Sequence, residues 1–189
     1  MDDLATYLLD IIQNSITAKS SIIHLSIDIQ DDMKISIKDN GLGMSEDILK
    51  KATSPFFTTR TTRTVGLGLS FLKMISEQTE GSFQLESIEN KGTNLYMTLN
   101  YLHPDMPPLG DLGELIYTLS IHQDLIEFIF DFKYKNHSYH YQASEMKEMF
   151  KELLSTYSIM KALIELINQE IHIDEVNHEI FRRFKEIKR

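Results

Sequence analysis

Ile22-Ile-His-Leu-Ser-Ile-Asp-Ile-Gln-Asp-Asp-Met-Lys-Ile-Ser-Ile-Lys-Asp39-Asn-Gly-Leu-Gly43 decides the fold. Ile23, Leu25, Ile27 and Ile29 alternate with His24, Ser26 and Asp28, and Met33, Ile35 and Ile37 alternate with Lys34, Ser36 and Lys38. A period of two marks half-buried strands, and Asp31-Asp32 between the runs predicts a hairpin. Asp39 ends the second run, and Asn40-Gly41-Leu42-Gly43 breaks it with turn residues.

Working outward, Asp3–Ile16 places Leu4, Leu8, Ile11 and Ile12 on one helical face. Ser45 is positioned to cap a short helix whose first turn holds Glu46 and Asp47. Residues 53–65, rich in Thr and Arg, read as a loop. Gly66-Leu67-Gly68 opens a helix to about residue 80 with Leu69, Leu72 and Ile75 buried, and Gly81 is expected to end it. A second hairpin carries Phe83 and Leu85, a turn at Asn90–Gly92, then Leu95, Met97, Leu99 and Tyr101.

His103-Pro104-Asp105-Met106-Pro107-Pro108 holds three of the four prolines and reads as a linker. Beyond it we expect a helix over Leu112–Ile121, the aromatic run Leu125–Tyr134, a turn at Asn136 and a short strand at Tyr139–Gln142. Ser144 is expected to cap a helix with Met146, Met149 and Phe150. Two further helical stretches hold Ile159, Leu163 and Ile167, then Val176, Ile180, Phe184 and Ile187. This divides the chain at 103/104, with 104–189 as a small α+β region.

Composition bounds the function. The net charge of −9 opposes a nucleic-acid partner, which a basic surface would serve. No apolar run approaches the roughly 20 residues that span a bilayer, and the acidic start lacks a basic leader, so neither a membrane nor export is expected and the location is read as cytoplasmic. With no cysteine, thiolate metal sites and a Cys nucleophile are excluded.

Asp10-Ile-Ile-Gln-Asn14-Ser15 is followed by Asp39-Asn-Gly41-Leu-Gly43-Met44, Pro55-Phe-Phe-Thr58-Thr59, Val65-Gly66-Leu67-Gly68 and Lys91-Gly92-Thr93. Asn-Gly alone would be an ordinary turn signal. In this order and spacing the boxes resemble the GHKL superfamily, the ATPases that include DNA gyrase, heat-shock chaperones, histidine kinases and mismatch-repair proteins. The resemblance covers residues 1–103. It implies a two-layer α/β sandwich with a mixed, mostly antiparallel sheet and helices on one face, ATP as ligand and Mg²⁺ as its counterion.

By that resemblance Asp39 accepts a hydrogen bond from the adenine amine, Gly41 and Gly43 let the backbone approach base and sugar, and Thr93 adds a polar group nearby. Asn14, four residues after Asp10 and on the same helical face, is the Mg²⁺ ligand, its amide oxygen being a hard donor. Gly66, Leu67 and Gly68 at a helix N-terminus offer N–H groups to phosphate. Thr58, Thr59 and Arg60 belong to a lid that closes over the phosphates, with Phe56 and Phe57 as its anchor. Asp10 stands where much of the family has Glu as general base, one methylene longer, and Thr17 stands where many members carry a charge.

Three functions follow from the resemblance: a Mg²⁺-dependent ATPase with Asp10 as base, a protein serine kinase like the anti-sigma factors of this superfamily, or a nonenzymatic regulator in which ATP orders the lid. No His lies next to a helical Glu in a phosphoacceptor pattern, so a small stand-alone protein of prokaryotic type, without self-phosphorylation, is expected. His137 and His140 are read as surface residues, His24 as exposed, and Met146, Met149 and Met160 as core. Residues 104–189 are expected to serve a protein partner, a homodimer contact, or one face of the sheet.

Overall fold

The computed structural model describes residues 3–54 and 68–187. Asp3 starts the first helix, α1 (Leu4–Thr17), by accepting from the Thr6 N–H and hydroxyl, both at 2.8 Å. Its buried face is Leu4, Leu8, Ile11, Ile12 and Ile16, the 3.6-residue stripe of the sequence. Lys19, at φ +64, turns the chain into β1 (Ile22–Ile29). β1 pairs antiparallel with β2 (Met33–Asp39) from Ile23↔Asp39 to Ile29↔Met33, which leaves Asp31 and Asp32 in the turn.

Ser45 stands at the cap of α2 (Glu46–Ala52), though its side chain makes no capping hydrogen bond. The helix α3 (Gly68–Gln78) leads to the second hairpin, β3 (Ser82–Ile88) and β4 (Gly92–Leu99). The stop after α3 differs from the expectation at Gly81. Glu80 takes the left-handed turn at φ +58. Gly81 serves a different need, because a Cβ there would sit 1.8 Å from the Thr98 carbonyl oxygen of β4.

Six strands form one sheet in the order β3-β4-β2-β1-β5-β6. β5 (Glu127–Tyr134) lies parallel to β1 along its whole length, Ile22↔Glu127 to Ile29↔Tyr134, and β6 (His137–Gln142) closes antiparallel on β5. The C-terminal hairpin therefore extends the sheet of the N-terminal half at its β1 edge. The architecture is α/β, a mixed sheet with one parallel pairing and helices on one face.

That inner face is a single core drawn from both sides of position 103. Phe128, Phe130 and Phe132 of β5 are fully buried among Leu25, Ile27 and the α1 stripe, with the Phe130 and Phe132 rings 6.1 Å apart. The outer face carries His24, Ser26, Lys34, Lys38, Asp131 and His140. Asp131 there accepts from His24 (2.5 Å) and His140 (2.6 Å), so His24 and His140 tie three strands together across the sheet, beyond the plain exposure expected of them.

α4 (Leu112–Ser120) is capped by Asp111, which accepts from the Glu114 N–H at 2.8 Å. After β6 come α5 (Ala143–Phe150), a 3-10 turn (Lys151–Ser155), α6 (Tyr157–Glu170) and α7 (Ile173–Ile187). Ser144 lies inside α5 and does not cap it. Its N–H and hydroxyl both donate to Glu127. Met146 and Met160 pack against a small second cluster around Tyr117, Leu154 and Leu163, whereas Met149 is 71% exposed, contrary to the core expected of it.

The segment between the halves is fastened to α1. Leu4 N–H donates to Pro108 C=O and Ala5 N–H to Leu109 C=O, each at 2.9 Å, which satisfies two of the donors a helix leaves open at its start. Asn177 of α7 accepts from the Leu109 N–H at 2.9 Å.

Candidate functional site

Asp39 is the last residue of β2, and strand alternation puts it on the inner face, opposite Ile23 of β1 and Thr93 of β4. Four donors converge on its carboxylate. Oδ1 accepts from the Gly41 N–H (2.8 Å), the Ser20 hydroxyl (3.0 Å) and the Thr93 N–H (3.2 Å). Oδ2 accepts from the Ser15 hydroxyl at 2.7 Å. Hydrogen bonds to a charged acceptor contribute about 1.5–3 kcal/mol each, so these donors fix the carboxylate's rotation.

The glycines around it are needed by the protein's own backbone. A Cβ on Gly41 would lie 2.4 Å from Ser20 Oγ and 2.8 Å from the Ala18 carbonyl oxygen. Gly43 takes φ +62, and a Cβ there would lie 2.1 Å from the Ile88 carbonyl oxygen. Gly92, at φ +102, would meet the Asp39 carbonyl oxygen at 2.0 Å. L side chains rarely adopt either of these conformations. The loop after Asp39 is thereby pressed onto the β3–β4 turn, where Asn90 N–H donates to Leu42 C=O (2.6 Å) and Met44 N–H to Ser87 Oγ (2.8 Å).

Asn40 does structural work, its amide oxygen accepting from the Ser21 and Ile22 N–H groups at 2.9 Å. Thr93 presents its N–H to Asp39 while its hydroxyl pairs with Ser87 at 2.9 Å.

Asp10 and Asn14 lie one turn apart on α1, both half-buried. The Asp10 carboxylate faces the start of α3, for a Cβ on Gly68 would sit 2.3 Å from Asp10 Oδ2. The structure thus brings Asp10 against Gly68, and Asp39 against Gly41 and Thr93, with Ser15 of α1 joining the two groups. Thr58, Thr59, Arg60, Gly66 and Leu67, with Phe56 and Phe57, lie outside the described residues.

Ser15, Ser20 and Ser87 are the polar contributors that motif reading passes over. Ser15 and Ser20 are 7% and 1% exposed. Buried hydroxyls need partners, and no periodic pattern announces them. Asn14 offers a hard oxygen for a divalent cation, and Asp39 Oδ2, with one donor among the described residues, has room for a second. No three His, Asp or Glu side chains among the described residues are arranged to hold a metal. No helix among them is long and apolar enough to cross a membrane.

The family model described as "Histidine kinase-, DNA gyrase B-, and HSP90-like ATPase" matches residues 1–103. The chain is 47% identical over 70 residues to sporulation kinase E of Bacillus subtilis, covering 37% of this chain and 9% of the relative. It is 34% identical over 109 residues to the sensor histidine kinase ZraS of Escherichia coli K12, covering 55% and 23%. It is 35% identical over 78 residues to the sensor protein RprX of Bacteroides fragilis, covering 39% and 15%. The chain therefore spans under a quarter of these relatives.

Among solved structures, the N-terminal domain of a DNA repair protein aligns over 74% of this chain and 52% of its own, with a TM-score of 0.51 and 18% identity, which is a likeness of fold. With the motif boxes, the Asp39 geometry and the match over residues 1–103 together, the chain belongs to the histidine kinase-, DNA gyrase B- and HSP90-like ATPase family, the GHKL superfamily.

Proposed function

We propose that this chain binds ATP with Mg²⁺ and uses it either for hydrolysis or as a switch acting on residues 104–189. The ATP-binding character follows from the family. The observation that supports the finer reading is the Asp39 carboxylate, held by four donors with one oxygen able to accept another. In this reading the adenine amine donates to Asp39, and guanine, with a carbonyl at that position, is repelled. Asn14 supplies the oxygen that holds the cation, which when bound neutralises phosphate charge. Gly66, Leu67 and Gly68 cradle the phosphates, Thr58, Thr59 and Arg60 cover them, and Asp10 takes the proton of the attacking water.

The switch reading has its own support. α1 carries Asp10, Asn14 and Ser15 and is capped by the carbonyls of Pro108 and Leu109, so a nucleotide-dependent shift of α1 would reach the C-terminal helices through Asn177. A protein partner or a second copy would read that shift there. The kinase reading has no comparable observation in its favour.

Calorimetric titration with ATP and with GTP, each with and without Mg²⁺, tests the proposal. The wild type is expected to bind ATP in preference to GTP, and Asp39→Asn is expected to weaken ATP binding at least about tenfold. Unchanged affinity in Asp39→Asn refutes the adenine assignment.

A further inference from the structure

The geometry points to Ser20 as a positioning residue that sets the pocket's preference for an amine-bearing base, an inference that rests on the ATP reading above. The two oxygens of Asp39 are not equivalent. Oδ1 accepts three hydrogen bonds, from Ser20, Gly41 and Thr93, and is saturated by them. Oδ2 accepts one, from Ser15, among the described residues. Oδ1 is thus the anchor and Oδ2 the oxygen left to receive the base.

The anchor is held from two sides. Gly41, in the loop after β2, and Thr93, in β4, offer main-chain N–H groups, which do not depend on a side chain's chemistry. Among the described residues Ser20 is the one side chain on Oδ1, and it comes from the segment that follows α1. Ser20 is 1% exposed, and a buried hydroxyl needs a partner within the protein. The space it fills exists because residue 41 has no side chain: a Cβ there would stand 2.4 Å from Ser20 Oγ. Ser20 therefore ties the segment after α1 to the carboxylate that meets the base, and by fixing Oδ1 it leaves Oδ2 as the oxygen turned to the base. Without that tie Oδ1 keeps only its two main-chain donors and Oδ2 its bond from Ser15, so the carboxylate is held less firmly and the penalty against a base lacking the amine falls.

The test uses the full chain and two ligands, ATP and purine riboside triphosphate, which is ATP without its exocyclic amine. Affinities of the wild type, Ser20→Ala and Ser20→Cys are measured by calorimetry. Cysteine keeps the shape of serine with a weaker donor, and it serves if the alanine variant does not fold. The ratio of the two affinities is the readout, because loss of general stability moves both ligands together. We expect the wild-type preference for ATP to shrink about tenfold in Ser20→Ala and by a smaller factor in Ser20→Cys, with affinity for purine riboside triphosphate changing less than about twofold. A wild type that discriminates, with the same ratio in both variants, overturns the role of Ser20. A wild type that does not distinguish the two ligands overturns the reading of Asp39 itself.

Discussion

Asp10 and Asp39 are both carboxylates on the inner side of the fold, yet their settings suit different work. Asp39 is immobilised by donors from Ser15, Ser20, Gly41 and Thr93. Asp10 faces the start of α3 at Gly68, beside the segment proposed to hold phosphate. If Asp10 is the general base, Asp10→Asn lowers phosphate release about a hundredfold or more while leaving ATP affinity within about twofold. A turnover assay beside calorimetry checks this, and full activity in the variant removes Asp10 from that role. Asp39 and its glycines were legible because each residue type is scarce in such an order. Ser20 was not, since a serine in Ala18-Lys19-Ser20-Ser21 acquires meaning only when α1, β2 and β4 converge. Beside the approach of base and sugar expected of Gly41 and Gly43, the fold itself requires them bare, against Ser20 and the backbone of Ala18 and Ile88.

At the scale of elements, the period-two runs at 23–29 and 33–37 and the stripe of α1 were readable because one solvated face leaves a clean alternation. The run Leu125–Tyr134 was harder to place, because its aromatic side chains alone do not say which neighbour it pairs with. Its outer face settles part of that pairing. Burial works to raise the Asp131 carboxyl, but the hydrogen bonds from His140 and His24 outweigh it and hold the group below its ordinary value. A carboxyl lowered on folding stabilises the native state above its unfolded value near 3.8, and that contribution disappears as the pH falls through the lower folded value. Asp131→Asn should therefore lower the melting temperature at neutral pH by about 1–3 °C, as suits a half-exposed cluster, and the difference should shrink as the pH falls below the unfolded value of 3.8. Melting curves at the two extremes check the sign. On the buried side of the same strand, Tyr134 is pushed up to about 12 by burial and by its hydrogen bond to Glu179 of α7, so it remains a neutral donor throughout the physiological range.

For the whole molecule, the family match ends at residue 103 while the sheet continues to β6. A fragment 1–103 would lose the β5 partner of β1, the Phe128, Phe130 and Phe132 layer, and the carbonyls of Pro108 and Leu109 that cap α1. An open, long edge beside an uncovered apolar face is an invitation to aggregate. The fragment is expected to lack a cooperative thermal transition and to associate on size exclusion, where the full chain melts in one step. A sharp, reversible melt of the fragment would show that residues 104–189 are dispensable for folding. The parallel seam between β1 and β5 also orders events in time. The two hairpins close from neighbouring residues, but His24 and Asp131 must meet across a separation of 107 positions, and such long-range closure is slow. During synthesis β1 waits, half-paired, until the ribosome has released the last strands. Until then the β1 edge is open to pairing with another chain, the hazard of any unpaired strand.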